Sequence, residues 1–157
     1  MRRRIGDRTT FAIEIGMALS ADLRIVDVWA AGKRLTADDN VAYVPSLCHY
    51  LRRAAARVCQ REIRPCPFPE YSPEEIFRQL EADETGFREH YWFMRWSETL
   101  DNVSSYAYLD DDLVIIFAFW RDEHPVPEGG GKVLVAKIPP EQFATIVLTA
   151  ADLLNPQ

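Results

Sequence analysis

The segment 113–120 constrains the fold more than any other part of the chain. It reads Leu-Val-Ile-Ile-Phe-Ala-Phe-Trp, so a strand built from it would be apolar on both faces. Such a strand is stable only where both faces are covered, which predicts a position at the centre of a sheet. It is the longest uninterrupted apolar run and is far shorter than the roughly 20 residues that cross a bilayer, so we expect no membrane-spanning segment.

Flanking segments predict antiparallel neighbours for this strand. Residues 105–109 are a second strand candidate, and Asp110, Asp111 and Asp112 between the two have the composition of a tight hairpin turn. Residues 132–138 predict a further strand beyond the next loop. These short connections favour antiparallel pairing.

An opening hairpin is predicted near the start of the chain. Residues 11–19 alternate apolar and small or polar side chains, the two-residue period of a strand with one buried face. Residues 23–31 contain a β-branched run and partial alternation. Gly6 and Asp7 are expected to turn the backbone just before the first strand.

Three helices are predicted from apolar spacing and from their start signals. The first has apolar residues at helical spacing, namely Leu47, Tyr50, Leu51, Ala54 and Val58. The second has Ser72 as its N-cap, Pro73 at the first helical position and Glu75 in the capping-box position. The third begins at Pro139 and Pro140.

These elements predict an α+β fold in which about three helices pack against an antiparallel sheet of about five strands. A hydrophobic content of 48% over 157 residues fits one independently folding domain that spans residues 1–157. The aromatic-rich segment 85–103 is compatible with a short helix or with an irregular cover, and its structure stays open.

The chain lacks the marks of a secreted protein. Its basic start is not followed by an apolar stretch, so no secretory signal is predicted. Three cysteines without a C-x-x-C pair fit reduced thiols better than disulfides. We expect a cytoplasmic protein that is a monomer or a weak dimer.

The charge is unevenly distributed along the chain. Residues 1–65 carry twelve Lys and Arg against seven Asp and Glu, a balance of +5, whereas residues 66–157 carry six against seventeen, a balance of −11. An acidic surface repels nucleic acid and attracts cationic proteins. The second region therefore favours a basic protein partner.

Catalytic and cofactor motifs are missing from the sequence. Gly129–Gly131 and Lys132 lack the spacing of a phosphate loop and precede a strand instead of a helix. His49, His90 and His124 are isolated from one another and form no zinc-ligand pair. We predict no metal, no cofactor and no enzymatic activity.

Two acidic clusters are the candidate binding residues, and they consist of Asp110, Asp111, Asp112, Asp122 and Glu123. Clustered carboxylates can bind Mg²⁺ or Ca²⁺, but neither cluster has the alternating spacing of an EF-hand loop. Solvated turn residues are the simplest interpretation, because turns favour Asp. A patch that binds a partner protein is the functional alternative.

Aromatic and arginine residues offer two further surfaces. Trp92, Trp96 and Trp120 could anchor an interface, although large aromatic residues are more often core residues. The first predicted helix has an arginine face without interleaved exposed aromatic residues. We therefore predict no nucleic-acid binding.

Three motifs follow one another in a defined order. Residues 5–16 read Ile-Gly-Asp-Arg-Thr-Thr-Phe-Ala-Ile-Glu-Ile-Gly, and residues 72–77 read Ser-Pro-Glu-Glu-Ile-Phe. An Asp-Asn pair at 101–102 then precedes Tyr-Leu-Asp-Asp at 108–111. In this order the chain resembles the immunity protein 42 family of bacterial polymorphic toxin systems.

The resemblance implies a cytosolic antidote that binds and blocks a cognate toxin domain such as a nuclease. It implies no catalytic residues. Two alternatives stay open at this point: a small enzyme whose site is assembled from residues distant in sequence, and an adaptor or regulatory module.

Overall fold

A computed structural model describes residues 2–119 and 132–155 of the chain. Within them lie three helices, α1 (Val44–Cys59), α2 (Pro73–Ala82) and α3 (Pro140–Leu154). The strands are β1 (Arg3–Asp7), β2 (Phe11–Ala18), β3 (Leu23–Ala30), β4 (Lys33–Arg34), β5 (Val41–Tyr43), β6 (Val103–Leu109), β7 (Leu113–Phe119) and β8 (Leu134–Ile138). The predicted α+β class is confirmed.

The first sheet is antiparallel and has the order β1-β2-β3-β4, with β5 also paired to β3. Ile13 lies opposite Val28, and Glu14 lies opposite Asp27. The side chains of Phe11, Ile13 and Val28 face the core, where α1 and α3 pack. The predicted opening hairpin is thus β2 and β3.

The second sheet is antiparallel and has the order β6-β7-β8. In the central strand, Ile115 and Phe117 belong to the core shared with the first sheet, α1 and α3. The alternate residues Val114 and Ile116 belong to a second cluster, which Phe77 and other residues of α2 cover. The predicted central strand is confirmed over the described residues 113–119.

The strands of the described residues form two sheets, of five and three strands, where the sequence pattern predicted one sheet of about five. The helices α1 and α3 share one core with the inner face of each sheet. Alternation identifies the buried face of each strand, but it does not specify which strands pair. None of the helices among the described residues is long and apolar enough to span a membrane.

The segment 85–103, left open by the sequence, contains two short 3₁₀ helices, Phe87–Tyr91 and Glu98–Leu100. Between them Phe93 and Trp96 are buried and stack with Phe143 at centroid distances of 5.5 and 6.2 Å. Trp96 is therefore a core residue, whereas Trp120 lies outside the described residues.

Candidate functional site

The opening motif forms the β1–β2 hairpin. Gly6 has a φ of 96°, and a Cβ atom there would lie 2.4 Å from the carbonyl oxygen of Phe11. Asp7 Oδ1 accepts hydrogen bonds from Thr9 N at 2.8 Å and Thr9 Oγ1 at 2.7 Å, which lower the pKa of Asp7. Gly6 and Asp7 end β1, so the expected turn before Phe11 is present, but the strand that follows it is the second strand and not the first.

Glu14 of the same motif is a buried carboxylate on the face of the first sheet that points away from the helices. Arg8 donates two hydrogen bonds to it, and the Arg8 guanidinium lies 4.2 Å from the centroid of the Trp29 ring. The Arg8 hydrogen bonds are the main reason that the pKa of Glu14 is lowered.

Asp27, opposite Glu14, is also buried and accepts hydrogen bonds from Thr36 Oγ1 at 2.6 Å and from Arg2. The polar residues of the motif thus stabilise the fold.

Asp110, Asp111 and Asp112 form the turn between β6 and β7. Asp110 N donates to Asp112 O at 3.0 Å, and the side chains of Asp110 and Asp111 are exposed. Glu141, in the first turn of α3, lies beside this turn on the same pocket of about 430 Å³. We call these four residues the acidic end.

The acidic end also has neighbours from the end of α1. Cys59 and Arg61 line the same pocket, so one positive charge, that of Arg61, lies beside the four carboxylates. Asp122 and Glu123, the other predicted site residues, lie outside the described residues. Among residues 2–119 and 132–155, no three His, Cys, Asp or Glu side chains are arranged to hold a metal ion.

A second charged surface lies along α1. Arg53 and Arg57 of α1 line a groove of about 510 Å³ together with Arg64 and Arg95. Burial lowers the pKa of Arg57. We call these four arginines and the space between them the cationic groove.

Trp92 forms part of the wall of the cationic groove. The guanidinium of Arg95 stacks on its ring at 3.7 Å from the centroid, and Tyr50, which is 42% exposed, lies at the same groove. Sequence spacing did not predict this site, because Trp92 and Arg95 reach α1 only through the tertiary fold.

A cavity of about 860 Å³ adjoins the cationic groove and shares Tyr50, Trp92 and Arg95 with it. At its wall the hydroxyl of Tyr106 donates to Glu81, whose carboxylate is 3.8 Å from Arg88. Burial, and then the Glu81 carboxylate, raise the pKa of Tyr106 to about 12. This neutral, hydrogen-bonded tyrosine fixes α2 against β6.

An exposed apolar surface lies at one end of the first sheet. Leu23 is opposite Tyr43, and Ile25 is opposite Val41, so these side chains project from one face of β3 and β5. Tyr43 is 52% exposed, and Val41 is 39% exposed. We call these four residues the apolar edge.

Comparison of the chain with protein-family models, with curated proteins and with solved structures found no match.

Proposed function

We propose that the protein is an immunity protein that binds a cognate toxin domain through the acidic end and so blocks the active cleft of the toxin. The observation that carries this proposal is the convergence of Asp110, Asp111, Asp112 and Glu141, which come from two elements and surround one open pocket. A patch of this kind complements the basic cleft expected of a nuclease toxin.

The acidic end rests on rigid parts of the fold. The turn joins β6 to β7, whose residues Leu113 and Ile115 are fully buried, and Glu141 begins a helix that is anchored by Phe143. The backbone that carries these carboxylates therefore needs little ordering when a partner binds, which reduces the entropic cost of association.

The resemblance to the immunity protein 42 family, which rests on the order of three sequence motifs, supports the proposal at the level of function. The residues of the most specific motif, 5–16, have structural roles: Gly6 allows the hairpin geometry, and Arg8 and Glu14 form a hydrogen-bonded pair. We therefore assign toxin recognition to surfaces outside this motif, and we place the protein in the cytoplasm, where an incoming toxin acts.

Co-expression with the toxin domain from the adjacent reading frame tests the proposal, followed by stopped-flow association of the purified proteins. The triple variant D110N/D111N/D112N should associate several-fold more slowly at low salt, and the difference should shrink as salt rises. A matched triple neutralisation of the exposed residues Asp22→Asn, Glu70→Gln and Glu84→Gln should have a smaller effect.

Two results would contradict the proposal in different ways. Failure of the wild-type protein to rescue cells from the toxin would reject the immunity function. Rescue with an unchanged association rate for the Asp110–Asp112 variant would reject the acidic end, and loss of binding in Val41→Ser or Tyr43→Ser would then assign the contact to the apolar edge.

A further inference from the structure

We propose that the cationic groove binds a nucleoside phosphate, with Arg53, Arg57 and Arg64 holding the phosphate and the stacked Trp92–Arg95 surface meeting the base. This site is separate from the acidic end, and the inference does not depend on the proposed immunity function.

The first argument is an excess of positive charge. Four arginines line the groove against two carboxylates, Glu62 and Glu89. Within the described part of the chain, Arg53, Arg57 and Arg95 have no carboxylate oxygen within 4.0 Å, whereas Arg8 and Arg52 do. Guanidinium groups are planar forks that hold phosphate oxygens with paired hydrogen bonds, so a bound phosphate would neutralise this cluster.

The second argument is the flat surface beside the arginines. The Arg95 guanidinium already lies on the Trp92 ring, and such a stack presents a planar cation to an incoming base. Tyr50 projects from α1 at the same groove. The aromatic residues that the arginine face lacks in sequence are therefore supplied in space.

The third argument is the backbone that positions Arg95. Met94 precedes it with a φ of 55°, a left-handed conformation that costs free energy for a residue with a long side chain. The Met94 side chain is buried, so packing enforces this conformation and directs Arg95 outward. Strained residues of this kind concentrate at binding sites.

The size of the groove favours a nucleotide over an acidic peptide. A groove of about 510 Å³ falls within the range of small-molecule sites. An acidic side chain would engage the arginines but would leave the stacked Trp92–Arg95 surface without a planar partner.

Calorimetric titration of the full chain with adenosine monophosphate, inorganic phosphate, a single-stranded oligothymidylate and an oligoglutamate peptide tests the site. We expect adenosine monophosphate to bind more tightly than phosphate. Arg53→Gln and Arg95→Gln should each weaken nucleotide binding roughly tenfold, the first by removing one charged hydrogen bond to the phosphate and the second by removing the planar cation that stacks on the base. Arg78→Gln is the control, because Arg78 is exposed on α2 and does not line the groove; its contact with Glu75 is a weak surface ion pair at 3.9 Å.

The probes also distinguish the source of the nucleoside phosphate. Comparable affinity for the mononucleotide and for the oligothymidylate would assign a free nucleotide, whereas much tighter oligothymidylate binding, with a salt slope that falls by about one for each arginine removed, would assign single-stranded nucleic acid. Binding of no phosphate probe at millimolar concentration would overturn the proposal. The proposal would also be overturned if the Arg53→Gln and Arg95→Gln variants bound adenosine monophosphate as tightly as the wild type, or if oligoglutamate were the only probe that bound.

Discussion

Arg8 donates two hydrogen bonds to the carboxylate of Glu14 within the β1–β2 hairpin, one from Arg8 Nη2 to Glu14 Oε1 at 2.8 Å and one from Arg8 Nε to Glu14 Oε2. The carboxylate is buried while the arginine remains partly exposed. The charge of Glu14 is therefore tolerated in the sheet only because Arg8 accompanies it.

We predict that Glu14 contributes to acid sensitivity. Its pKa in the folded protein is lowered by the Arg8 hydrogen bonds from the ordinary value of 4.5, so the stabilisation is present above that value and is lost as pH falls through the lower folded pKa. Glu14→Gln should therefore flatten the acid limb of thermal stability measured from neutral pH down to about pH 3.

The control for this measurement is Glu75→Gln, because Glu75 reaches its arginine partner only at 3.9 Å on the surface of α2. It should leave the profile close to that of the wild type. Parallel acid limbs for the wild type and Glu14→Gln would contradict the assigned role of the Arg8–Glu14 pair.

Two glycines with positive φ should respond differently to alanine. At Gly6 an added Cβ meets the Phe11 carbonyl oxygen at 2.4 Å, whereas at Gly32, with a φ of 79°, it meets nothing within 4 Å. Gly32→Ala carries only the left-handed penalty of about 1–2 kcal/mol, and Gly6→Ala should destabilise by roughly 2–4 kcal/mol because the hairpin backbone must also move. Chemical denaturation measures both, and equal losses would show that the close approach at Gly6 has no energetic effect.

Local patterns predicted the elements whose environment is encoded within a few residues. Alternation identified β2, the doubly apolar run identified β7, and Ser72 was confirmed as the N-cap of α2, where its Oγ accepts from Glu75 N at 3.3 Å. The strand β1 was not predicted, because its residues, which include the charged Arg3 and Arg4, do not show the alternation of apolar and polar side chains that marks a strand with a buried face.

The candidate sites were less predictable, because they form where distant segments meet. Asp110 and its neighbours were identified as an acidic turn, but Glu141 joins them only through the packing of α3 beside that turn. Arg57 and Arg95 likewise meet across the fold, and no periodicity in either segment indicates that contact.

We predict that β7 is the most protected strand of the chain. Its residue Ile116 is fully buried under α2, so Ile116→Ala should cost about 2–5 kcal/mol through lost burial and a residual cavity. Leu148→Ala, at a position on α3 that is 39% exposed, should cost less than about 1 kcal/mol. Hydrogen exchange should find the β7 amides among the slowest, and rapid exchange there would contradict the central position of this strand.

Tyr106 should contribute to the loss of stability at high pH, together with Tyr108, whose pKa burial also raises to about 12. The pKa of Tyr106 is raised from 10.0 to about 12 by burial and by the Glu81 carboxylate. The folded protein therefore retains the phenolic proton at a pH where the unfolded chain loses it. The resulting stabilisation is fully present below the unfolded pKa of about 10 and is lost as pH rises through the folded value.

Urea denaturation should show a steeper loss of stability above about pH 10 for the wild type than for Tyr106→Phe, which has no phenolic proton to release. Glu81→Gln should lie between them, because it removes the carboxylate while the burial of Tyr106 remains, and Glu84→Gln on the nearby surface should match the wild type. If Tyr106→Phe lost stability as steeply as the wild type, the titration of Tyr106 would not be coupled to folding.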